Sequence, residues 1–372
     1  MKIVEFINNN KNWRELLSSE PYHLTINDDG GFTILKYSQI DSDFTNELVR
    51  ECRGLILDSN FAPVCVPFYK FGNYGEPYAA EIDWESAIVE EKIDGSLIKL
   101  WNYDGNWIVS TNSSIFAHKA GVGAQETRRC ADIQNYRDLF QTAAKGAGLE
   151  IKSLIPQYTY MFELVSPYNR VVVPYEKIDL YHIGTRDIVS LKELDIDIGV
   201  KKPKTYKCDN LNDLIEMASQ LKYNEEGYVV RDKYYNRIKV KSPAYVAVSH
   251  LINGMNDRRL IDLIKSGEID EFLSYFPEYK PTVDTLIERM NNVVDYLRNL
   301  IQTELDNKSF ASRKELAEMA QKTLFPAFIF LYFDGKAQDP LEWLRSMPSD
   351  KILQHINRIE RGILMFEDFK QS

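Results

Sequence analysis

The sequence predicts an α+β domain of antiparallel sheets with helices, followed by an all-α domain. Up to about residue 244, short runs of alternating apolar and polar residues are separated by Gly, Asn and Asp turns, as in strands joined by hairpins. Beyond that point, apolar residues recur at helical spacing between Gly and Pro residues. The 372-residue chain is also longer than a single hydrophobic core usually serves. We therefore expect one domain over residues 1–244 and a second over residues 245–372.

The elements are predicted in chain order from these two periods. A loose helical period covers residues 4–17, and a hairpin joins residues 22–26 to 32–37. Further strands are predicted over residues 49–58, 87–89, 97–101, 158–165, 169–173, 180–186, 225–232 and 237–241, with a hairpin over 98–110. Helices are predicted over residues 118–149, 210–221, 245–252, 260–264, 269–276, 283–305, 314–333, 341–344 and 352–366.

Composition places the chain among soluble globular proteins. Hydrophobic residues make up 44% and charged residues 27%, which excludes global disorder. The net charge of −10 argues against coating nucleic acid through an overall field, but a local basic groove on an acidic body stays possible. The first residues are charged too early for a secretory signal, and the longest apolar run, 324–333, is about half of what crosses a bilayer. The scattered cysteines (Cys52, Cys65, Cys130 and Cys208) indicate reduced thiols, so we expect a cytoplasmic protein.

Lys92 lies in a motif that can carry chemistry. It precedes Asp94 and Gly95, and apolar strand-like residues flank the motif on both sides. This arrangement places an amine on a turn at a strand edge, where it can act as a nucleophile. The motif alone is weak, since any turn between strands can have this sequence.

Other charged residues admit two interpretations each. Arg53 precedes Gly54 within a predicted strand. It either faces an anionic ligand or merely marks a bulge, and from Arg53 alone the bulge is favoured. Lys70 among aromatic residues and glycines places a charge beside a stacking surface or lies in an ordinary loop. Glu163 is different, because a carboxylate within an apolar run is costly unless it meets a cation, a metal or a hydroxyl.

The last predicted strands of the first domain carry paired charges. Glu226 opens one strand, and period-two alternation puts Lys239 and Lys241 on the same face of the next. Like charges one pleat apart repel each other unless both face an anion. An exposed edge strand that keeps the protein soluble has the same pattern. For the basic stretch 201–207, a solvated loop is favoured slightly over phosphate binding.

Taken together, these motifs resemble the covalent nucleotidyltransferases, the superfamily of ATP-dependent ligases and mRNA capping enzymes. ECRG, FYKFGN, EKIDGS, FELVSPYNRVV, EEGYVV and KVKS are most similar to the RNA ligase 1 family of T-even phages, over about residues 40–245. The resemblance implies an ATP-grasp-like ligase domain that uses ATP and Mg²⁺, with Mn²⁺ as a substitute. It also implies an RNA substrate with 5′-phosphate and 3′-hydroxyl ends, with tRNA under repair as one candidate, and a partner kinase/phosphatase that heals the ends. A phage-encoded enzyme would act in the host cytoplasm.

The resemblance implies a role for each matched residue. Lys92 would be the nucleophile that carries AMP, and Asp94 and Gly95 would shape its loop. The residues expected in catalysis are Lys92, Asp94, Glu163, Glu226, Lys239 and Lys241. Those expected to contact the nucleotide are Arg53, Lys70, Glu91, Ile93, Gly95, Glu163, Glu226, Val230, Lys239 and Lys241, with Arg186 as a further phosphate contact. Glu163 and Glu226 would hold the metal through water.

The expected chemistry starts from a neutral amine. A free lysine has a pKa of about 10.4, and burial, a bound metal, Lys239 and Lys241 are each expected to lower the pKa of Lys92. In one place the chain departs from the family, which carries a basic residue where Asn112 stands. Either another cation, Lys119 or Arg128, replaces it, or one nucleotide contact is weaker.

Alternative functions stay open at this point. A DNA or mixed-substrate ligase would use the same chemistry, and a degenerate nucleotide-binding protein would keep the fold without catalysis. The helical second domain disfavours DNA ligases and capping enzymes, which append a β-barrel after the strand with the paired lysines. The T-even enzyme has a helical domain linked to tRNA recognition, so we expect residues 245–372 to act as an RNA-specificity module.

Overall fold

The structure divides into two compact units, Met1–Ile252 and Asn253–Ser372. It is a computed structural model that describes residues 1–122, 132–252, 255–267, 269–306 and 310–371. The unit boundary falls eight residues after the predicted one at 244, because the helix that begins at Pro243 belongs to the first unit. Arg128 and Cys130 lie outside the described residues.

All strands among the described residues lie in the first unit. They are β1 Leu24–Asp29, β2 Phe32–Tyr37, β3 Arg53–Leu57, β4 Pro63–Cys65, β5 Ile88–Glu91, β6 Ser96–Tyr103, β7 Asn106–Thr111, β8 Tyr158–Val165, β9 Asp179–Asp187, β10 Glu193–Leu194, β11 Thr205–Tyr206, β12 Gly227–Arg231 and β13 Arg237–Lys241. They form three antiparallel sheets, ordered β1-β2-β3-β4, β10-β9-β8-β6-β7 and β11-β5-β12-β13. The helices of this unit are α1 Lys2–Asn9, α2 Trp13–Ser18, α3 Glu47–Glu51, α4 Tyr136–Gly146, α5 Leu211–Ser219 and α6 Pro243–Ile252.

The described residues of the second unit form helices. These are α7 Asp257–Ser266, α8 Ile269–Tyr275, α9 Lys280–Leu300, α10 Arg313–Ala320, α11 Pro326–Phe333, α12 Pro340–Arg345 and α13 Ser349–Gln371. The apolar stripe of α9, with Leu286, Val293 and Leu297, is buried, as are Ile352 and Ile356 of α13. No helix within the described ranges is both long enough and apolar enough to span a bilayer.

Several predicted elements are wrong in detail, each for a local reason. The predicted strand 49–58 begins as helix α3, which Asn46 caps by accepting a hydrogen bond from the Leu48 amide, and only then becomes β3. The predicted strand 169–173 is irregular, because the amides of Val172 and Val173 donate to the Asp94 carboxylate and not to a neighbouring strand. Residues 4–17 form two helices, and residues 314–333 break before Pro326.

Packing of two sheets holds the region around Lys92 in place. The five-stranded sheet buries Ile98 of β6 and Phe162 of β8 against Phe140 of α4. The sheet β11-β5-β12-β13 buries Ile238 and Val240 against α5. The predicted alternation of β13 is therefore confirmed on its apolar face. The chain passes from one sheet to the other between β5 and β6, which is where Lys92 lies.

Candidate active site

Backbone hydrogen bonds fix the position of Lys92. The Lys92 amide donates to the Gly227 carbonyl at 2.9 Å, and the Glu91 amide donates to the Lys204 carbonyl at 2.8 Å. The Lys92 side chain then reaches Glu226, with Nζ 2.7 Å from Oε2. The amine is thus held at a defined point at the end of β5.

Glu226 bridges two lysines from a buried position. Its carboxylate is 6% exposed, and its second oxygen lies 3.0 Å from Nζ of Lys241. Gly227 makes this approach possible: its φ is +136°, and a Cβ there would lie 2.2 Å from the Val240 carbonyl oxygen. A larger residue at 227 would push β12 away from β13 and separate Glu226 from Lys241.

A cavity of about 300 Å³ opens beside Lys92. It is lined by Gln39, Arg53, Phe68, Lys70, Phe71, Asn73, Glu90, Glu91, Lys92, Ile93, Glu163, Ile183, Pro203, Val229, Arg237, Lys239 and Lys241. Apolar and aromatic walls with convergent charged groups are typical of ligand sites. The predicted residues Arg53, Lys70, Glu91, Ile93, Lys239 and Lys241 all line this cavity.

The loop that carries Lys70 is tied to β13. The Lys239 amide donates to the Gly72 carbonyl at 3.0 Å, and the Tyr74 amide donates to the Lys239 carbonyl at 2.8 Å. This pairing sets the Phe71 ring beside two cations, 4.7 Å from Lys239 Nζ and 5.4 Å from Arg53 Cζ. An aromatic face near cations stabilises them, most strongly where water is excluded.

Arg53 marks a bulge, and its side chain lines the cavity. The register between β2 and β3 shifts at this point, and Gly54 has a φ of +77°, so the arginine does mark a bulge. The bulge directs Arg53 into the cavity, where its Nη1 is buried without a hydrogen-bond partner. A buried guanidinium nitrogen with no acceptor is ready to bind an anion.

Burial and nearby cations lower the pKa of Lys239. Burial is the main cause, followed by the charges of Arg53, Lys70, Lys92 and Lys241, and the pKa falls to about 6. The pKa of Lys70 is lowered as well, by burial and then by Arg53. The cavity therefore holds more positive charge than its own carboxylates balance, so it favours a polyanion.

Burial raises the pKa of Glu163, which lies on β8, to about 7. The positive charge of Lys92 opposes this shift, and the negative charge of Glu226 adds to it. A bound cation would favour the charged carboxylate.

Asp94 and Gly95 shape the loop from behind and do not line the cavity. Asp94 is 4% exposed and accepts hydrogen bonds from the amides of Val172 and Val173 and, at 2.8 Å, from the Tyr245 hydroxyl. Burial and then Glu226 raise its pKa. A Cβ on Gly95 would lie 2.5 Å from the Leu164 carbonyl oxygen, so the loop packs directly on β8. Asp94 and Gly95 thus position the loop that carries Lys92.

Two predicted contacts need correction. Val230 is fully buried in the core against α5, and its neighbour Val229 lines the cavity, because side chains alternate along β12. Arg186 does not line this cavity; it forms a buried ion pair with Glu193 at 2.9 Å and donates to the Pro67 carbonyl.

Arg237 was not identified from the sequence. It lines the cavity, pairs with Glu193 at 2.6 Å and lies over the Phe68 ring at 4.3 Å. The alternation that selected Lys239 and Lys241 also includes position 237, so the signal was present in the strand pattern.

Lys99 and Asn112 both lie beside Gly54. This lysine is fully buried on β6, its Nζ donates to the Gly54 carbonyl, and burial lowers its pKa to about 8. A Cβ on Gly54 would lie 2.8 Å from Lys99 Nζ and 2.7 Å from the Asn112 carbonyl oxygen, so the three residues meet at one point. Lys119 instead forms an exposed pair with Asp29. Lys99 thus supplies positive charge behind Arg53.

The carboxylates near Lys92 do not form a complete metal site. Among the described residues, no group of three or more His, Cys, Asp or Glu side chains could hold a metal ion. Glu163 and Glu226 fit an ion that keeps most of its ligands as water and phosphate oxygens, as Mg²⁺ does.

Comparison with known proteins identifies the family. The family model described as RNA ligase matches residues 51–245, more than half of the chain. The chain belongs to the RNA ligase family. All the cavity residues except Gln39 lie within the matched segment.

Relatives of this RNA ligase family member occur in viruses. A protein of Autographa californica nuclear polyhedrosis virus, named as a predicted bifunctional polynucleotide kinase/RNA ligase, is 32% identical over 284 residues, covering 69% of this chain. The chain spans 39% of that relative's length. An RNA ligase of Rhodothermus phage RM378 is 26% identical over 319 residues, covering 68% of this chain and 71% of the phage protein. A solved archaeal ATP-dependent RNA ligase aligns over 89% of this chain and 77% of its own, with 13% identity and a TM-score of 0.39.

Proposed function

We propose that the protein is an ATP-dependent RNA ligase that joins 5′-phosphate and 3′-hydroxyl RNA ends through AMP covalently bound to Lys92. The observation that carries the proposal is the ion pair of Lys92 with Glu226 at the wall of a cavity crowded with cations. A triphosphate supplies the negative charge that this cavity lacks. Family membership supports RNA as the substrate.

The first step transfers AMP to the enzyme. A proton of the Lys92 ammonium passes to Glu226 Oε2, and the freed lone pair of Nζ attacks the α-phosphorus of ATP. The new N–P bond replaces the bond from the α-phosphorus to its bridging oxygen, pyrophosphate leaves with that electron pair, and a second N–H proton is lost to water. Lys239 and Lys241 stabilise the charge that spreads over the α-phosphate.

Two further steps join the RNA. A 5′-phosphate oxygen attacks the phosphorus of the lysyl-AMP and breaks the N–P bond, the leaving nitrogen takes back the proton held by Glu226 so that Lys92 returns as an amine, and an RNA-adenylate is left. The RNA 3′-hydroxyl then attacks the 5′-phosphorus, loses its proton and displaces AMP. The buried and unpartnered Nη1 of Arg53 supports a role for this arginine in holding the phosphates.

Mg²⁺ would be held by Glu163 and Glu226 through water, together with the phosphate oxygens, and Mn²⁺ would substitute. When bound, the ion neutralises charge on the triphosphate. Glu163, with a pKa of about 7, would give up its proton as the cation arrives.

Intact-mass measurement after incubation with ATP and Mg²⁺ tests the proposal. We expect one covalent AMP on the parent protein and none on Lys92→Ala. Lys119→Ala is a matched control, since it removes a lysine that pairs with Asp29 and does not line the cavity, and it should retain the adduct. A parent protein that acquires no AMP would overturn catalysis and favour a degenerate nucleotide-binding protein.

The substrate and the second unit require separate tests. Circularisation of a 5′-phosphorylated RNA should exceed that of a DNA of equal sequence, and equal rates would favour a mixed-substrate ligase. We infer that the helical unit selects the RNA, and we propose tRNA under repair as that RNA. The name of the baculovirus relative supports a partner kinase that supplies 5′-phosphates. A chain ending at Ile252, which retains Tyr245 and its bond to Asp94, should form lysyl-AMP but join its natural RNA poorly.

A further inference from the structure

A second and wider groove adjoins the nucleotide cavity. It has a volume of about 850 Å³ and shares Lys70, Phe71 and Arg237 with the cavity. The side away from the cavity, called the basic groove here, presents Arg50, Lys192, Lys233 and Tyr234. Anything held in this groove is therefore next to the position proposed for the triphosphate.

The basic groove is positively charged on an acidic protein. Among the described residues that line it, Glu193 is the one carboxylate. Glu193 forms ion pairs with Arg186 at 2.9 Å and with Arg237 at 2.6 Å. Lys233 pairs with Asp83 at 2.9 Å and Arg50 lies 3.9 Å from Glu47, whereas neither Lys70 nor Lys192 forms an ion pair with a described carboxylate. The net charge of the whole chain is −10, so this local excess of cations marks a site for an anion.

An exposed aromatic ring lies among these cations. Tyr234 is 67% exposed, and the Lys233 amine lies 5.0 Å from its ring centroid. A large exposed aromatic side chain next to cations is the arrangement on which unpaired bases stack while their phosphates meet lysines.

The turn that presents Tyr234 is rigid. Asp232, which is 1% exposed, accepts hydrogen bonds from the amides of Tyr234 and Asn236, both at 2.9 Å. Tyr235 has a φ of +63°, and Leu191 across the groove has a φ of +60°. Bulky residues in this left-handed region cost about 1–3 kcal/mol each and persist where the surrounding structure enforces them, most often at functional sites. The platform is thus formed before any ligand arrives.

We propose that the basic groove binds single-stranded RNA, with a base stacked on Tyr234 and backbone phosphates on Lys192 and Arg50, and leads the reacting end to Lys92. This inference rests on the proposed function, because it gives that function the path by which its RNA arrives. A single strand fits better than a duplex, since a paired base has both faces covered and cannot stack on Tyr234.

The test separates RNA binding from adenylylation. Binding of a 5′-phosphorylated oligoadenylate of about 12 nucleotides is measured by fluorescence anisotropy on the full chain without ATP. We expect Tyr234→Ala to weaken binding by about tenfold and Tyr234→Phe, which keeps the ring, to bind as the parent does. Lys192→Gln should lower the slope of log K against log salt by about 0.7, as expected for one lost phosphate contact on a single strand. Lys152→Gln removes an exposed lysine outside the groove and should leave the slope unchanged.

Joining is then followed with a pre-adenylated RNA donor, which bypasses the formation of lysyl-AMP. Tyr234→Ala should slow this joining at low RNA concentration while the mass of AMP bound after ATP treatment stays that of the parent protein. Unchanged RNA affinity in Tyr234→Ala and Lys192→Gln would overturn the inference, and so would a loss of AMP transfer, which would assign the groove to the triphosphate. If the parent protein forms no lysyl-AMP, the proposed function fails, yet the anisotropy measurement still decides whether the groove binds RNA.

Discussion

We expect the ion pair between Lys92 and Glu226 to have a measurable effect on stability. Glu226 is 6% exposed and contacts Lys241 as well, so Glu226→Gln leaves two lysines beside a neutral side chain. Removal of one partner from a fully buried pair costs about 3–5 kcal/mol. Because Lys92 and Lys241 are 21% and 33% exposed, solvent screening reduces the expected loss in the free energy of unfolding to about 2–3 kcal/mol. This loss would lower the Tm by roughly 4–12 °C.

A double-mutant cycle isolates the contact. Lys92→Met and Glu226→Gln are measured singly and together by urea unfolding, and we expect a coupling energy of about 1–2 kcal/mol. Trp343→Phe provides a useful background, because the other tryptophans of the chain all lie in the first unit and then report its unfolding alone. ATP is left out, so the readout does not depend on catalysis.

The exposed pair of Lys119 and Asp29 supplies the matched control. These side chains are 52% and 34% exposed at a distance of 2.6 Å, and such pairs contribute about 0.2–1 kcal/mol. The cycle of Lys119→Met with Asp29→Asn should therefore give the smaller coupling. If the coupling of Lys92 with Glu226 does not exceed it, the amine is not held by this carboxylate, and the proposed proton transfer loses its geometric basis.

Three further predictions test the cavity. Glu163→Gln should raise the free energy of unfolding at pH 8 by about 1–3 kcal/mol and abolish metal-supported AMP transfer. The folded-state pKa of Glu163, about 7, lies above the unfolded value near 4.5, so the parent protein loses stability as the pH rises between these values. Equal urea unfolding profiles of the two proteins at pH 5 and at pH 8 would contradict this. Lys239, with a pKa of about 6, is neutral at pH 8, so ATP binding should be accompanied by uptake of close to one proton. Calorimetry in buffers of different ionisation enthalpy measures this uptake. Lys239→Met should lack it, and proton uptake that persists in this variant would refute the assignment of the proton to Lys239. Gly95→Ala should lower the free energy of unfolding by about 1–3 kcal/mol, because the added Cβ clashes with β8. Gly146→Ala, in open space at the end of α4, should be neutral or stabilising. Equal shifts in Tm for the two variants would disprove the close packing of Gly95 on β8.

Local pattern accounted for the features that depend on near neighbours in the chain. The alternation of β13 set Lys239 and Lys241 against the buried Ile238 and Val240, and Asn210 caps α5 as expected. These features follow from the geometry of one strand or one helix end, which a short stretch of sequence determines.

The misses have a common physical origin in contacts between distant residues. Val172 and Val173 have strand propensity, yet their amides are taken by Asp94, 78 residues earlier in the chain. Arg186 was expected at a phosphate, but Glu193 neutralises it. Lys99 has the alternation of an ordinary strand residue, and only the fold reveals that it meets Gly54 and Asn112 in the interior. Tertiary contacts of this kind override local preference.

The charge balance of the cavity links its stability to its proposed task. Lys239 has a pKa of about 6 because burial and the surrounding cations disfavour its charged form. Such crowding lowers the stability of the unliganded protein, and functional sites commonly retain such destabilising arrangements. A triphosphate would supply the missing negative charge, so that part of the repulsion stored in the free protein is released on binding. Glu226 would then share Lys241 with the phosphates, and the less neutralised carboxylate would accept the Lys92 proton more readily, so that arrival of the nucleotide itself prepares the amine for attack.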